Sequence, residues 1–206
     1  MILSMTKTKV ETSSGVLTIS SGNSKLRGIP NLNLPPIKTC VENPPCASLC
    51  YARKAYEGYA RNTCGPAWDG NLALWYSSVG NFRAALKLWL ERYKPQYFRW
   101  HSSGDIPDRV YHRMMLEITK KFPKTRFLCY SRRDYAWSDV ESIARLPNLR
   151  IVRSVWLDET ERPTKQPYFK VLPKDGLSMP SCPGSCAYCK ACWHLEAGSS
   201  RSIVLH

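Results

Sequence analysis

Between residues 72 and 155 the sequence alternates helix-type and strand-type periods, and this alternation narrows the fold more than any other feature. Over 72–93, Leu72, Trp75, Tyr76, Val79, Phe82, Leu86, Trp89 and Leu90 recur mostly at steps of three and four. That spacing predicts one helix, ended by Pro95. Residues 96–101 (QYFRWH) form an aromatic strand-type run that stops at Ser102-Ser103-Gly104-Asp105. A second helix is expected over 107–121, with Asp108 near its start and Val110, Met114, Met115 or Leu116, and Ile118 turned inward. A strand over 126–130 ends at Ser131-Arg132-Arg133. A short helix over 138–146 opens with a Ser138–Glu141 capping box, and residues 149–155 are strand-type again.

Strand, helix and strand at this spacing build βαβ units with right-handed crossovers. The expected fold class is therefore α/β, an incomplete parallel (β/α)6-type barrel of about six strands with a cysteine-rich C-terminal metal-binding segment. Sites in such folds lie at the carboxyl ends of the strands. The polar residues there are Ser103, Gly104 and Asp105, then Tyr130, Ser131 and Arg132, then Ser154. His101 falls in the same region, as a ligand, an acid–base group or a structural residue. Arg132 or Arg133 suits a substrate phosphate.

The flanks are less regular. Residues 1–21 are rich in Ser and Thr and are expected to be a flexible arm or a short edge strand near 16–19. Residues 22–36 form an extended lead-in with turn residues at both ends, and residues 51–62 allow a helix. Residues 22–160 are the expected core. Residues 161–206 are the C-terminal segment, with strand candidates at 168–172 and 202–206.

Cysteine placement bears on chemistry. Cys40, Cys46 and Cys50 fall within eleven residues (TCVENPPCASLCYA runs from Thr39 to Ala52), and the chain holds nine cysteines in all. No basic start precedes an apolar stretch and no run of about 18 apolar residues exists, so a cytoplasmic, membrane-free setting with reduced thiols is expected. A structural zinc site closes with four ligands; three thiols leave one coordination position for something else. The expectation is a [4Fe–4S] cluster with an open position, the alternative a zinc loop completed by Cys64 or a distant cysteine. Cys182, Cys186, Cys189 and Cys192 form a second tight run, which suits an auxiliary [4Fe–4S] cluster or a four-cysteine zinc knuckle. One of these four could instead complete the first set. Cys64 and Cys129 are expected to be spare.

Lys and Arg number 30 against 16 Asp and Glu, a formal net charge of +14, which favours a polyanionic partner, nucleic acid or a nucleotide first. Arg53, Lys54, Arg61, Arg132, Arg133 and Arg153 interleave with Tyr51, Tyr56, Tyr59 and Trp137. The pattern fits a surface for phosphates and stacked bases, or a plain solvated face.

The first cysteine set, followed by Tyr51-Ala52, resembles the three-cysteine loop of radical S-adenosylmethionine enzymes. Its spacing is longer than that family's Cys-x3-Cys-x2-Cys by two residues and then by one, and a cluster fixes sulfur positions rather than loop length. The resemblance implies that Cys40, Cys46 and Cys50 hold a [4Fe–4S] cluster whose fourth iron binds S-adenosylmethionine. It implies that Asp105, in the small-Gly-acid segment Ser103-Gly104-Asp105, accepts from the cofactor's amino group. Tyr130, Ser131, Arg132 and Ser154 match positions near the ribose and carboxylate. Taken together, GNSK, the loop ending CYA, FRWHSSGD, YSRR and the terminal cysteine run into CW and a final His resemble a family of phage and mobile-element proteins described as gene-product-eighty-eight-like. That resemblance implies a phage or plasmid origin, and a host protein is a further possible partner.

Overall fold

Alternating side chains on one strand after another build a single sheet with two buried faces. The computed structural model describes residues 7–156, 167–172 and 182–204. Eight strands pair in sequence order: β1 (Lys7–Thr12), β2 (Gly15–Ser20), β3 (Asn31–Leu32), β4 (Tyr97–Trp100), β5 (Arg126–Ser131), β6 (Leu149–Val155), β7 (Tyr168–Leu172) and β8 (Ser200–Val204). The β1/β2 and β2/β3 pairs are antiparallel; every pair from β3 to β8 is parallel. Residues 7–20, expected as an arm outside the core or a short edge strand near 16–19, are therefore a two-stranded hairpin in the sheet. Leu17 and Ile19 anchor it, both buried in the main core.

The helices are α1 (Tyr51–Glu57), α2 (Arg61–Ser77), α3 (Val79–Tyr93), α4 (Arg109–Lys121), α5 (Asp134–Ser138), α6 (Val140–Ala144) and α7 (Cys186–Cys189). Phe98, Trp100, Phe127, Cys129 and Ile151 share one core with Trp75, Phe82, Leu86, Leu90, Tyr111 and Ile118 of α2, α3 and α4. Leu128 and Val152 alternate with them along the same strands and so face the other way. That second face is covered by Leu26, Ile29, Trp193 and Leu195, with Cys186 and Cys192 packed alongside. The C-terminal cysteine segment thus closes the face that the helices leave bare.

The single helix expected over 72–93 is two. Ser78 leaves helical geometry (φ −159°, ψ 96°), and its hydroxyl caps α3 by accepting from the Asn81 N–H at 3.2 Å. The break resets the helical phase, and Tyr76 and Val79, expected inside, are 65% and 39% exposed. Asp108 caps α4 as expected, accepting from the Tyr111 N–H at 2.7 Å, and it also accepts from the Trp75 indole at 2.8 Å. Val110 faces outward, while Tyr111 and His112 are buried in its place. The cap of α6 is Asp139, accepting from Ser142, and not Ser138, which closes α5. The last strand starts two residues earlier than expected; residues 205–206 lie outside the described residues.

Asn71 of α2 ties the hairpin to the parallel strands. It is buried, accepts from the Thr18 N–H at 2.7 Å, and donates to the carbonyls of Thr18 and Asn33, both at 2.9 Å. Asn71→Ala removes all three bonds and leaves buried backbone groups without partners. We predict a loss of about 3 kcal/mol or more, read as a melting temperature lower by roughly 10 °C.

Candidate functional site

Strand β3 is only two residues long because the chain must turn at once into Asn33-Leu34-Pro35-Pro36 and the cysteine loop. Ile37 opens that loop in the left-handed region (φ 68°), unusual for a β-branched residue, and its carbonyl accepts from the Cys40 N–H at 3.2 Å. The loop leaves the carboxyl end of β3, beside the ends of β4 and β5.

Thr39 joins these three ends. Its hydroxyl donates to the Pro35 carbonyl at 2.9 Å and accepts from the Asp105 N–H at 3.0 Å. Gly104 (φ 77°) lies against it: a Cβ there would come within 2.6 Å of the Thr39 hydroxyl oxygen and 2.8 Å of the Leu34 carbonyl oxygen. Glycine is needed here so that the protein's own backbone can approach. Ser103 donates to the Leu34 carbonyl at 3.0 Å. Arg133, in the loop after β5, donates to the carbonyls of Ile106 (3.0 Å), Thr39 (2.8 Å) and Cys40 (2.8 Å). One guanidinium thus holds the start of the cysteine loop.

Asp105 is buried, and its carboxylate accepts from the Ile106 N–H at 2.7 Å, the Arg132 N–H at 2.9 Å and the Ser131 hydroxyl. Burial raises its pKa, against the lowering by these donors and by Arg133. The Ser131 hydroxyl also accepts from the Arg133 N–H at 3.0 Å, and Arg132 donates through Nη1 to the Ser154 carbonyl at 2.9 Å. Asp105, Ser131, Arg132 and Ser154 are thus brought together as expected, largely through bonds within the chain. His101 bonds elsewhere. It takes a left-handed conformation (φ 54°), pairs through Nε2 with the Tyr111 hydroxyl at 3.0 Å, and has Cys129 Sγ 3.9 Å from Nδ1. Burial pushes its pKa down to about 3, so the ring is neutral.

Cys40, Cys46 and Cys50 are half-buried. Burial pushes the Cys40 thiol up to about 12, and Asp105, Cys46 and Cys50 add to the rise. Cys46 is raised by burial and then by Cys50, with Arg132 opposing. The three thiols are near enough that a negative charge on one disfavours the next.

The second set is organised by the segment after β7. The Cys182 N–H donates to Ser202, the Gly184 N–H approaches Cys182 Sγ at 3.4 Å, and the Cys186 N–H donates to the Lys25 carbonyl at 2.8 Å. Lys190 turns the chain with φ 51°, and the Trp193 indole, buried, donates to the Phe98 carbonyl at 3.2 Å. All four thiols line one cavity of about 20 Å³ with Lys190 and Arg201. Tyr130, expected near a cofactor at the rim, turns to this side instead and hydrogen-bonds Cys192; Arg99 lies over its ring at 4.2 Å. Nothing in the sequence marks Arg99, one residue of an aromatic strand. Tyr51, next to Cys50, donates to the Ser102 carbonyl and is within electrostatic reach of Cys186.

Both sets offer thiolate ligands of the kind that iron–sulfur and zinc centres take. Among the described residues, however, no three His, Cys, Asp or Glu side chains are arranged to hold a metal ion. Of the residues expected on a phosphate-binding face, Arg53 pairs with Glu57 at 2.9 Å and Tyr56 stacks on Trp68, with ring centroids 6.0 Å apart. The side chain of Trp137 lies outside the described residues. No helix among the described residues is long and apolar enough to cross a membrane.

Two measurements follow from this geometry. Lysine cannot reach three carbonyls at once, so Arg133→Lys should destabilise by about 2 kcal/mol, with faster amide exchange over residues 39–50 and unchanged exchange in β6. His101 is neutral in the fold, while the unfolded chain takes up a proton below about pH 6.5. Stability from this group is complete above that pH and falls as the pH drops toward 3. Urea midpoints should decline over that window, and His101→Gln should flatten the decline.

A family model described as Gene product 88 matches residues 2–163, which include the cysteine loop and strands β1 to β6 and stop before the second thiol set. No curated protein and no solved structure matches the chain. With most of its length matched, the chain belongs to the Gene product 88 family.

Proposed function

We propose that this protein is an iron–sulfur, radical S-adenosylmethionine-like enzyme acting on nucleic acid or a nucleotide. The observation that carries the reading is the position of the first thiol set. It leaves the carboxyl end of the first strand in a run of six consecutive parallel strands, beside the strand end that carries Gly104 and Asp105. We read that run as an incomplete barrel whose active rim is the cysteine loop. Cys40, Cys46 and Cys50 would hold a [4Fe–4S] cluster with one open position. Cys182, Cys186, Cys189 and Cys192 would hold an auxiliary cluster, or zinc. Thiols held protonated by burial, as Cys40 and Cys46 are, would release their protons when a cation arrives, so metal uptake and ordering of the ligand geometry go together.

When bound, the cluster supplies the electron for reductive cleavage of S-adenosylmethionine. The chain's part is to position and to exclude water. Arg133 and Thr39 fix the loop, and Asp105, with about four acceptor sites and three already filled, keeps one for an ammonium group. The excess of Lys and Arg supports a polyanionic substrate in a cytoplasmic setting.

A second reading is a non-catalytic, metal-stabilised nucleic-acid-binding protein that modulates a host factor. It is favoured by how completely Asp105, Ser103 and Ser131 are engaged inside the chain. The test is anaerobic reconstitution with iron and sulfide, reduction, and addition of S-adenosylmethionine. Wild type should release 5′-deoxyadenosine and Cys46→Ala should release none. An iron-loaded wild type that forms no 5′-deoxyadenosine contradicts the enzymatic reading and leaves the binding protein.

A further inference from the structure

A cavity of about 530 Å³ opens between α1 and α2, away from both thiol sets. Its walls include Tyr56, Arg61, Asn62, Gly65, Pro66 and Asp69. Lys38, two residues before Cys40, reaches over and donates to the Tyr56 hydroxyl and to Asp69 Oδ1, both at 2.9 Å, while Tyr56 donates to Asp69 at 2.7 Å. The charge of Asp69 is therefore balanced by Lys38. Glu57, also in the wall, is balanced by Arg53. What remains is Arg61, exposed and with no partner among the described residues, so the cavity carries an unanswered positive charge.

The local sequence is also poor for a helix in a way that serves the cavity. Gly65 and Pro66 lie together inside α2, and both are among the least favourable helix residues. Gly65 is not required by packing: a Cβ there would meet only Tyr56 Cε2, at 3.9 Å, an ordinary contact. Its missing side chain keeps the floor open. Pro66 has no N–H, so it cannot take the helical bond from the Asn62 carbonyl four residues earlier. Asn62 thus brings an amide that both donates and accepts, and a backbone acceptor, to the same wall. Departures from local helix rules of this kind concentrate at binding sites. An anion partner, a flat apolar floor and paired donors and acceptors are what a nucleotide asks for, and the volume lies in the range of small-ligand pockets.

We propose that this cavity binds one nucleotide of a single-stranded nucleic acid, its phosphate on Arg61 and its base edge on Asn62 above Gly65 and Pro66. The proposal rests on the nucleic-acid reading of function and adds where the strand is gripped. Lys38, bonded to Tyr56 and Asp69 of its wall, links the cavity to the start of the cysteine loop.

The experiment is fluorescence anisotropy of a labelled mixed-sequence single-stranded oligonucleotide with the full chain, prepared without oxygen, over a salt series. Arg61→Gln should weaken binding about tenfold and lower the salt slope by about one contact. Gly65→Leu, which fills the floor, should weaken it by about tenfold or more. A nucleoside monophosphate should compete with the strand. Should wild type bind and both Arg61→Gln and Gly65→Leu bind equally well, the cavity proposal fails alone. Should wild type bind no strand at any salt, the nucleic-acid reading fails with it. Arg61 is exposed, so Arg61→Gln remains informative where thermal melts show that Gly65→Leu has not folded.

Discussion

The contact between Thr39 and the ends of β4 and β5 is the constraint on which the rest of this molecule depends. An eighteen-residue excursion, residues 33–50, from a two-residue strand has few backbone partners of its own, and buried carbonyls need donors. Here the donors come from elsewhere in the chain. Arg133 takes the carbonyls of Thr39 and Cys40, and Gly104 lets Thr39 approach so closely that no side chain fits between them. Asp105 then closes the same knot from the β4 side by gathering the N–H of Arg132. The cysteines are thereby held at a fixed place on the rim, although three of their neighbours were expected to face a cofactor and not the chain itself.

The second thiol set reaches the same region from the other side of the sheet. Its anchor is apolar: Trp193 is buried against Tyr97, with ring centroids 5.6 Å apart, and bonds to the Phe98 carbonyl. Its electrical surroundings are cationic, with Arg99, Lys25, Lys190 and Arg201 nearby. A centre made of four thiolates is anionic whatever metal it carries, and fixed positive charges stabilise it while setting its potential. In the proposed function the net charge of the chain would thus have a local use here besides any attraction for nucleic acid.

Much of the scaffold was legible in the sequence because aromatic and β-branched runs over 97–100, 126–131 and 149–155 alternate with helical spacing. The break at Ser78 was not, since Leu72, Trp75, Tyr76 and Val79 continue an apolar phase through it and only the cap reveals the change. Strand β2 was legible as an edge strand near 16–19, but its partner β1 was hidden by its Lys and Thr content, and burial of Leu17 and Ile19 sets the hairpin on the core. At the site, cysteine spacing pointed to both thiol sets, but the role of Arg133 could not be read, because its partners are backbone carbonyls, two of the three more than ninety positions away. Tyr130 was placed at the right strand end and the wrong face: strand alternation sends it toward Cys192. The Lys38, Tyr56 and Asp69 network was equally hidden, being assembled from three separate segments.

The proposed function requires the loop after β3 to hold iron with one coordination position left open. Mössbauer spectroscopy of protein prepared without oxygen tests it most directly. The expected spectrum has one iron environment that changes when S-adenosylmethionine is added while the other irons stay as they were. Protein that carries only zinc with all four positions closed by the chain, or a spectrum in which no iron responds, would contradict it.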